Sequence, residues 1–171
     1  PVSKIFGKQL KDIKNMTITL AKTKYVYDGT SKKPSVTVKD GTKLLRNGQD
    51  YTVTYSKNVD VGTATVTVTG KGDYTGTSAV KFVIVKANNT IKASNIIKDT
   101  SKKTQTVKIK ASVKYKAKLT YSSNSKSVKV DSSGKVTIAK NFTGKAVITI
   151  TSAATSKYNK SVVKITVTVR P

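Results

Sequence analysis

Cysteine, histidine, glutamate and tryptophan are all missing from this 171-residue chain. Without cysteine there are no disulfides and no thiolate metal sites. Export stays open, because an oxidising compartment permits disulfides without demanding them. Without histidine, the usual acid–base near neutral pH and the commonest metal ligand are gone. The 8 acidic residues are all aspartate. Little remains for acid–base or nucleophilic catalysis, so the chain reads as a non-enzyme with no catalytic residues, no cofactor and no bound metal. Long apolar runs are absent too. The longest is Phe82-Val83-Ile84-Val85, far short of a membrane span, so no membrane insertion is expected. No signal peptide is visible in the sequence, which starts abruptly at Pro1, and the chain reads as a piece of a longer protein.

Lysine is what the chain has in excess. The formal net charge is +25, and Arg46 and Arg170 are the only arginines. Residues 1–86 carry 15 basic against 6 acidic side chains, and the remainder 18 against 2. A field of this sign attracts anionic polymers and surfaces. Arginine, not lysine, is the bidentate reader of phosphate and guanine. No helix-turn-helix, RNP-like segment or arginine cluster accompanies the lysines, so specific nucleic-acid recognition is not expected.

Apolar residues are only 36% of the chain, but they alternate. Met16, Ile18 and Leu20 alternate with threonines, and Val36 with Val38, Val53 with Tyr55, Ala64 with Val66 and Val68, and Val80 with Phe82 and Ile84 follow suit. The second half does the same at Val107–Ile109, Leu119–Tyr121, Val128–Val130, Val136–Ile138, Ala146–Ile150 and Val163–Val169. A period of two places one set toward a core and leaves threonine and lysine in water. Turn signals punctuate the runs: Asp28-Gly29, Asp40-Gly41, Asn47-Gly48 and Asp131-Ser132-Ser133-Gly134. No helical period persists. Residues 86–95 break the rhythm and mark the domain junction. The segment Gly62–Val68 is similar to Gly144–Ile150, and each precedes a tyrosine (Tyr74, Tyr158) and a last alternating run. The expected fold is all-β: two tandem immunoglobulin-like β-sandwich domains, each of about seven short antiparallel strands.

Particular stretches resemble known families. Tyr27-Asp28-Gly29-Thr30, Lys33-Pro34-Ser35-Val36-Thr37-Val38, Gly48-Gln49-Asp50-Tyr51-Thr52-Val53-Thr54-Tyr55, Val61-Gly62-Thr63-Ala64-Thr65-Val66 and Gly70-Lys71-Gly72-Asp73-Tyr74-Thr75-Gly76 resemble a YDG-type surface-protein repeat of gut Firmicutes. The segment Leu119–Val136 with Gly144–Ile150 is similar to a group 2 bacterial Ig-like domain, although that group usually has alanine–threonine where Val128-Lys129-Val130 stands. On this resemblance, residues 1–11 are an N-terminal extension, 12–86 the surface-repeat domain and 87–171 the group 2 domain. It implies an extracellular, monomeric spacer or display module of a Gram-positive cell-surface or secreted protein. The alternative it leaves open is a specific adhesion module for a glycan or host protein. No binding motif carries over from the resemblance.

Asp28, Asp40, Asp50, Asp60 and Asp73 lack calcium-loop spacing, and four of the five adjoin or neighbour a glycine or tyrosine in a turn-like context, so turn and capping duty is expected. Tyr25, Tyr27, Tyr51, Tyr55, Tyr74, Tyr115, Tyr121 and Tyr158 are read as core or corner residues rather than a stacking row for sugars or bases. Lys108, Lys110, Lys114, Lys116 and Lys118 share strand parity and would form one basic stripe on a sheet face. As a ligand-binding stripe it would take an anionic cell-wall polymer or acidic glycan; as a solvated face it would discourage edge-to-edge aggregation. A Lys–Asn isopeptide bond is not expected, because no glutamate exists and no aspartate lies in an apolar strand.

Overall fold

The computed structural model describes residues 4–5 and 7–171. The chain divides into two compact units, Pro1–Ala87 and Asn88–Pro171. Among the described residues the only helical element is one 3-10 turn, and no helix is long and apolar enough to cross a membrane.

In the first unit, β1 (Lys4–Ile5) and β2 (Lys8–Gln9) form a small antiparallel ladder, followed by β3 (Lys11–Asp12). The 3-10 turn Ile13–Asn15 starts where the Asp12 carboxylate accepts the Lys14 N–H at 3.0 Å. Then come β4 (Thr17–Leu20), β5 (Lys24–Val26), β6 (Val36–Asp40), β7 (Lys43–Leu44), β8 (Tyr51–Ser56), β9 (Gly62–Gly70), β10 (Tyr74–Thr75) and β11 (Thr77–Val85). One sheet has the order β5-β11-β9-β8, and the other β4-β6-β7. Their inner faces meet: Ile18, Val36 and Val38 of the second sheet pack with Tyr51, Val53 and Val68 of the first. Two tyrosines stitch the layers, with Tyr51 Oη donating to Val36 O at 3.2 Å and Tyr55 Oη to Pro34 O at 2.8 Å. Residues assigned from sequence to an N-terminal extension contribute here. Leu10 is buried, and Lys11 pairs in parallel with Tyr74.

The second unit runs β12 (Ile91–Ala93), β13 (Ile96–Asp99), β14 (Gln105–Lys108), β15 (Ala111–Val113), β16 (Leu119–Ser123), β17 (Val128–Val130), β18 (Lys135–Ile138), β19 (Gly144–Ser152) and β20 (Ser161–Arg170). A four-stranded sheet β13-β20-β19-β16 faces a three-stranded sheet β14-β18-β17, and β12 pairs with β15 alone. The core joins Val128, Val136 and Ile138 of the smaller sheet to Ala146, Ile148, Ile150, Ile165, Val167 and Val169 of the larger. These residues are the alternating apolar set of the sequence, buried because period two presents one face per strand.

The molecule is therefore all-β, two immunoglobulin-like β-sandwiches in tandem. The segments Gly62–Val68 and Gly144–Ile150 lie in β9 and β19, both nine residues long and both internal to a four-stranded sheet. Two features depart from the sequence reading. Each unit has more than seven strands, several only two or three residues long. Not every pairing is antiparallel: β3 with β10, β5 with β11 and β13 with β20 are parallel. Alternation reports which face is buried, and says nothing of strand direction.

Candidate functional site

All five lysines of the expected stripe are exposed, as their parity requires. They do not share one sheet face. β14 ends at Lys108, where Ile109 turns inward and its N–H bonds Gly134 O at 2.9 Å. Lys110 precedes β15, which pairs with β12 in a different sheet. Lys114, Lys116 and Lys118 lie on the connection to β16. The chain changes sheet twice in this stretch, and parity along a sequence describes one face only while the strand continues.

The stripe is instead split between two places. Lys108 and Lys110 border a cleft of about 270 Å³ together with Lys98 of β13. Lys98 is half-buried on the inward parity of its strand, next to the exposed Ile97. Sequence reasoning missed it, because Ile96-Ile97-Lys98-Asp99 has no clean alternation. A lysine on the inward parity of a short edge strand is the signal that would have found it. Lys114 and Lys116 lie beside an aromatic pair. The rings of Tyr115 and Tyr158 stack with centroids 4.2 Å apart and planes 15° apart, and Lys114 Nζ sits 5.2 Å from the Tyr115 centroid.

The tyrosines are drawn into the two units to different depths. Tyr27, Tyr51 and Tyr74 are buried, and the other five are half-buried, so no exposed row exists. Burial pushes the Tyr51, Tyr55 and Tyr74 phenols above their ordinary range. The aspartates serve turns and lysines. Asp28 Oδ1 accepts the Thr30 N–H at 2.8 Å and the Thr30 hydroxyl at 2.7 Å, and pairs with the buried Lys32. Asp50 Oδ2 accepts the Arg46 N–H at 2.8 Å. Asp40 pairs with Lys11 and accepts the Tyr74 hydroxyl at 3.1 Å, and Asp73 pairs with Lys8 at 2.8 Å. Lysine hydrogen bonds hold Asp28, Asp40 and Asp73 below the usual carboxylate range. In the second unit, Asp131 is lowered first by the Ser133 hydroxyl, and Asp99 meets Arg170 at 2.8 Å. Among the described residues no group of three or more acidic side chains could hold a metal ion.

No family model matches the chain, and no curated protein matches it. Solved multi-domain structures do. Sidekick-1 immunoglobulin domains 1-4 align at a TM-score of 0.40 and 10% identity, over 91% of this chain and 49% of that one. Drosophila N-cadherin EC1-4 aligns at 0.38 and 13% identity, over 98% of this chain and 56% of that one. The tandem Ig repeats of Dlar align at 0.33 and 9% identity, over 91% and 97%. The chain spans about half the length of the Sidekick-1 and N-cadherin structures it matches.

Proposed function

We propose that this chain is a non-catalytic extracellular spacer or display module of a bacterial cell-surface or secreted protein, held close to anionic wall polymer by its lysines. On this reading residues 12–86 are a YDG-type surface repeat, 87–171 a group 2 bacterial Ig-like domain, and the protein works as a monomer on a Gram-positive surface.

The observation that carries the reading is the charge of the second unit. Lys108, Lys110, Lys114, Lys116 and Lys118 are all exposed, while both carboxylates of that unit already have partners. Such a surface attracts polyanions over a distance set by salt, with no need of a shaped pocket. It also keeps a stalk soluble and discourages edge-to-edge association. A sequence with no histidine and no glutamate supports a role in spacing rather than chemistry.

Co-sedimentation with Gram-positive cell walls, with and without teichoic acid and across a salt series, tests this. Binding that needs the anionic polymer and fades with salt is the expected result. Binding that survives high salt would replace diffuse attraction with a specific site. No binding at low salt would leave a plain spacer.

A further inference from the structure

The two edge strands that flank the cleft in the second unit have unused sides. β13 has a ladder partner on one side only, β20, and β14, across the cleft in the facing sheet, on one side only, β18; the two are bridged at one end, where Gln105 Nε2 donates to Asp99 O at 2.8 Å, which leaves the Ile97 end of β13 open. An edge strand keeps a row of backbone N–H and C=O groups available for another strand. Ile96 and Val107 are half-buried against the core and floor the cleft, and Ile97 is 61% exposed at its rim.

The charges along this edge have one sign. Lys98, Lys108 and Lys110 border the cleft, and no carboxylate does. Lys108 donates to Ser133 O, a neutral acceptor. Asp131 feels the Lys108 charge, but its Oδ1 already accepts the Ser133 and Lys135 N–H groups at 2.8 and 3.0 Å. Asp99, next along β13, is engaged by Arg170.

These features select an occupant. A half-buried lysine on the inward parity of β13 repels a wholly apolar strand, because its ammonium would lose water without gaining a partner. It equally repels a second copy of a chain charged +25, which would set lysine against lysine. A carboxylate satisfies it. The cleft has no aromatic ring on which a sugar or base could stack, and no arginine to fork onto phosphate. What remains is a strand of alternating acidic and apolar residues. Its two faces match the edge: one parity turns to the three lysines, the other covers Ile97.

We infer that the β13–β14 edge is a docking cleft for an extended acidic peptide segment of a partner protein, which adds a strand to β13. Backbone bonds to the edge supply affinity, and the three lysines and Ile97 supply selectivity. The inference stands apart from wall association, since it needs a peptide backbone and a defined cleft rather than bulk charge.

The test uses the whole 171-residue chain, labelled with nitrogen-15, and a blocked peptide of about eight residues alternating aspartate and valine. Amide shifts should cluster at residues 94–98 and 105–110. A Lys98→Gln/Lys108→Gln/Lys110→Gln variant should bind at least about tenfold more weakly. A control with the same charge loss, Lys14→Gln/Lys33→Gln/Lys81→Gln, should change affinity less than about twofold. The same peptide with alternate backbone nitrogens methylated keeps its charge and should lose binding. Polygalacturonate, which offers carboxylates without an amide backbone, should not reproduce the shifts. The inference is overturned by no binding, by undiminished binding of the methylated peptide, by equal losses in the two triple variants, or by the same shifts with polygalacturonate.

Discussion

Asn89 and Ser152, 63 residues apart, meet inside the second unit, where Asn89 Nδ2 donates to Ser152 Oγ at 3.1 Å. Both side chains are buried, at 1% and 0% exposure. The same amide donates to Tyr115 O at 3.3 Å and accepts the Tyr115 N–H at 3.0 Å. A residue that reads from sequence as junction filler therefore closes a buried polar network. Asn89→Ala leaves the Tyr115 N–H and the Ser152 hydroxyl without a partner and should cost about 1–3 kcal/mol in a denaturant melt. Pairing it with Ser152→Ala should recover part of the loss, because one orphaned group is then gone.

Core and edge isoleucines should behave differently. Ile148 is fully buried in β19, and Ile148→Ala should cost about 2–5 kcal/mol through lost transfer energy and a cavity. Ile97 is 61% exposed, and Ile97→Ala should fall within about 0.5 kcal/mol of the parent. Chemical unfolding of both variants measures the contrast. A large loss for Ile97→Ala would show that β13 packs more tightly than its exposure implies.

Glycine is required at position 134 for two reasons. Its φ is +79°, and an added Cβ would stand 2.9 Å from Tyr121 Cζ. Gly134→Ala should cost at least about 2 kcal/mol, from left-handed strain plus the displaced ring. Gly41 has φ +59° and open space around it, so Gly41→Ala should cost only the backbone strain, about 1 kcal/mol. Thermal melts of the two variants separate the contributions. Equal losses would mean that Tyr121 moves aside freely.

The first unit should respond to pH at both extremes. Asp28, Asp40 and Asp73 have folded pKa values lowered chiefly by hydrogen bonds from Lys32, Lys11 and Lys8. Their stabilising contribution is full above the unfolded carboxylate pKa near about 4 and is lost as pH falls through the lower folded values. Tyr51, Tyr55 and Tyr74 are raised chiefly by burial, so theirs is full below about pH 10 and lost as pH rises through the higher folded values. In the second unit Asp131 is lowered as well, first by the Ser133 hydroxyl. Amide signals followed from about pH 7 to about pH 2 should show residues of the first unit losing stability more than those of the second. Parallel loss in both units would refute the assignment.

Inner faces were legible in the sequence because long strands carry full periods. Ala64, Val66 and Val68, and Ala146, Ile148 and Ile150, alternate for three turns of the pleat and are all buried. The Asp131–Gly134 turn was equally plain, and it joins β17 to β18. Short strands were not legible. β12, β13 and β15 have three or four residues each, too few for alternation to rise above chance. The break at Ile109 was hidden because the exposure pattern continues through Lys118 while the hydrogen-bond partner changes. Lys98 escaped for the same reason as β13, and it is the residue that turns two scattered lysines into a bounded cleft.

The parallel pairing of β13 with β20 has a mechanical consequence. Within the second unit the chain enters this ladder at Ile96 and leaves it at Arg170, and both strands run the same way. Tension applied to the two ends of the unit drives the strands past each other along their length. The load falls together on the ladder from Ile96↔Val167 to Asp99↔Arg170, instead of peeling it open one bond at a time. Such an arrangement yields in shear, all at once and at high force, and it holds its length under drag until it does.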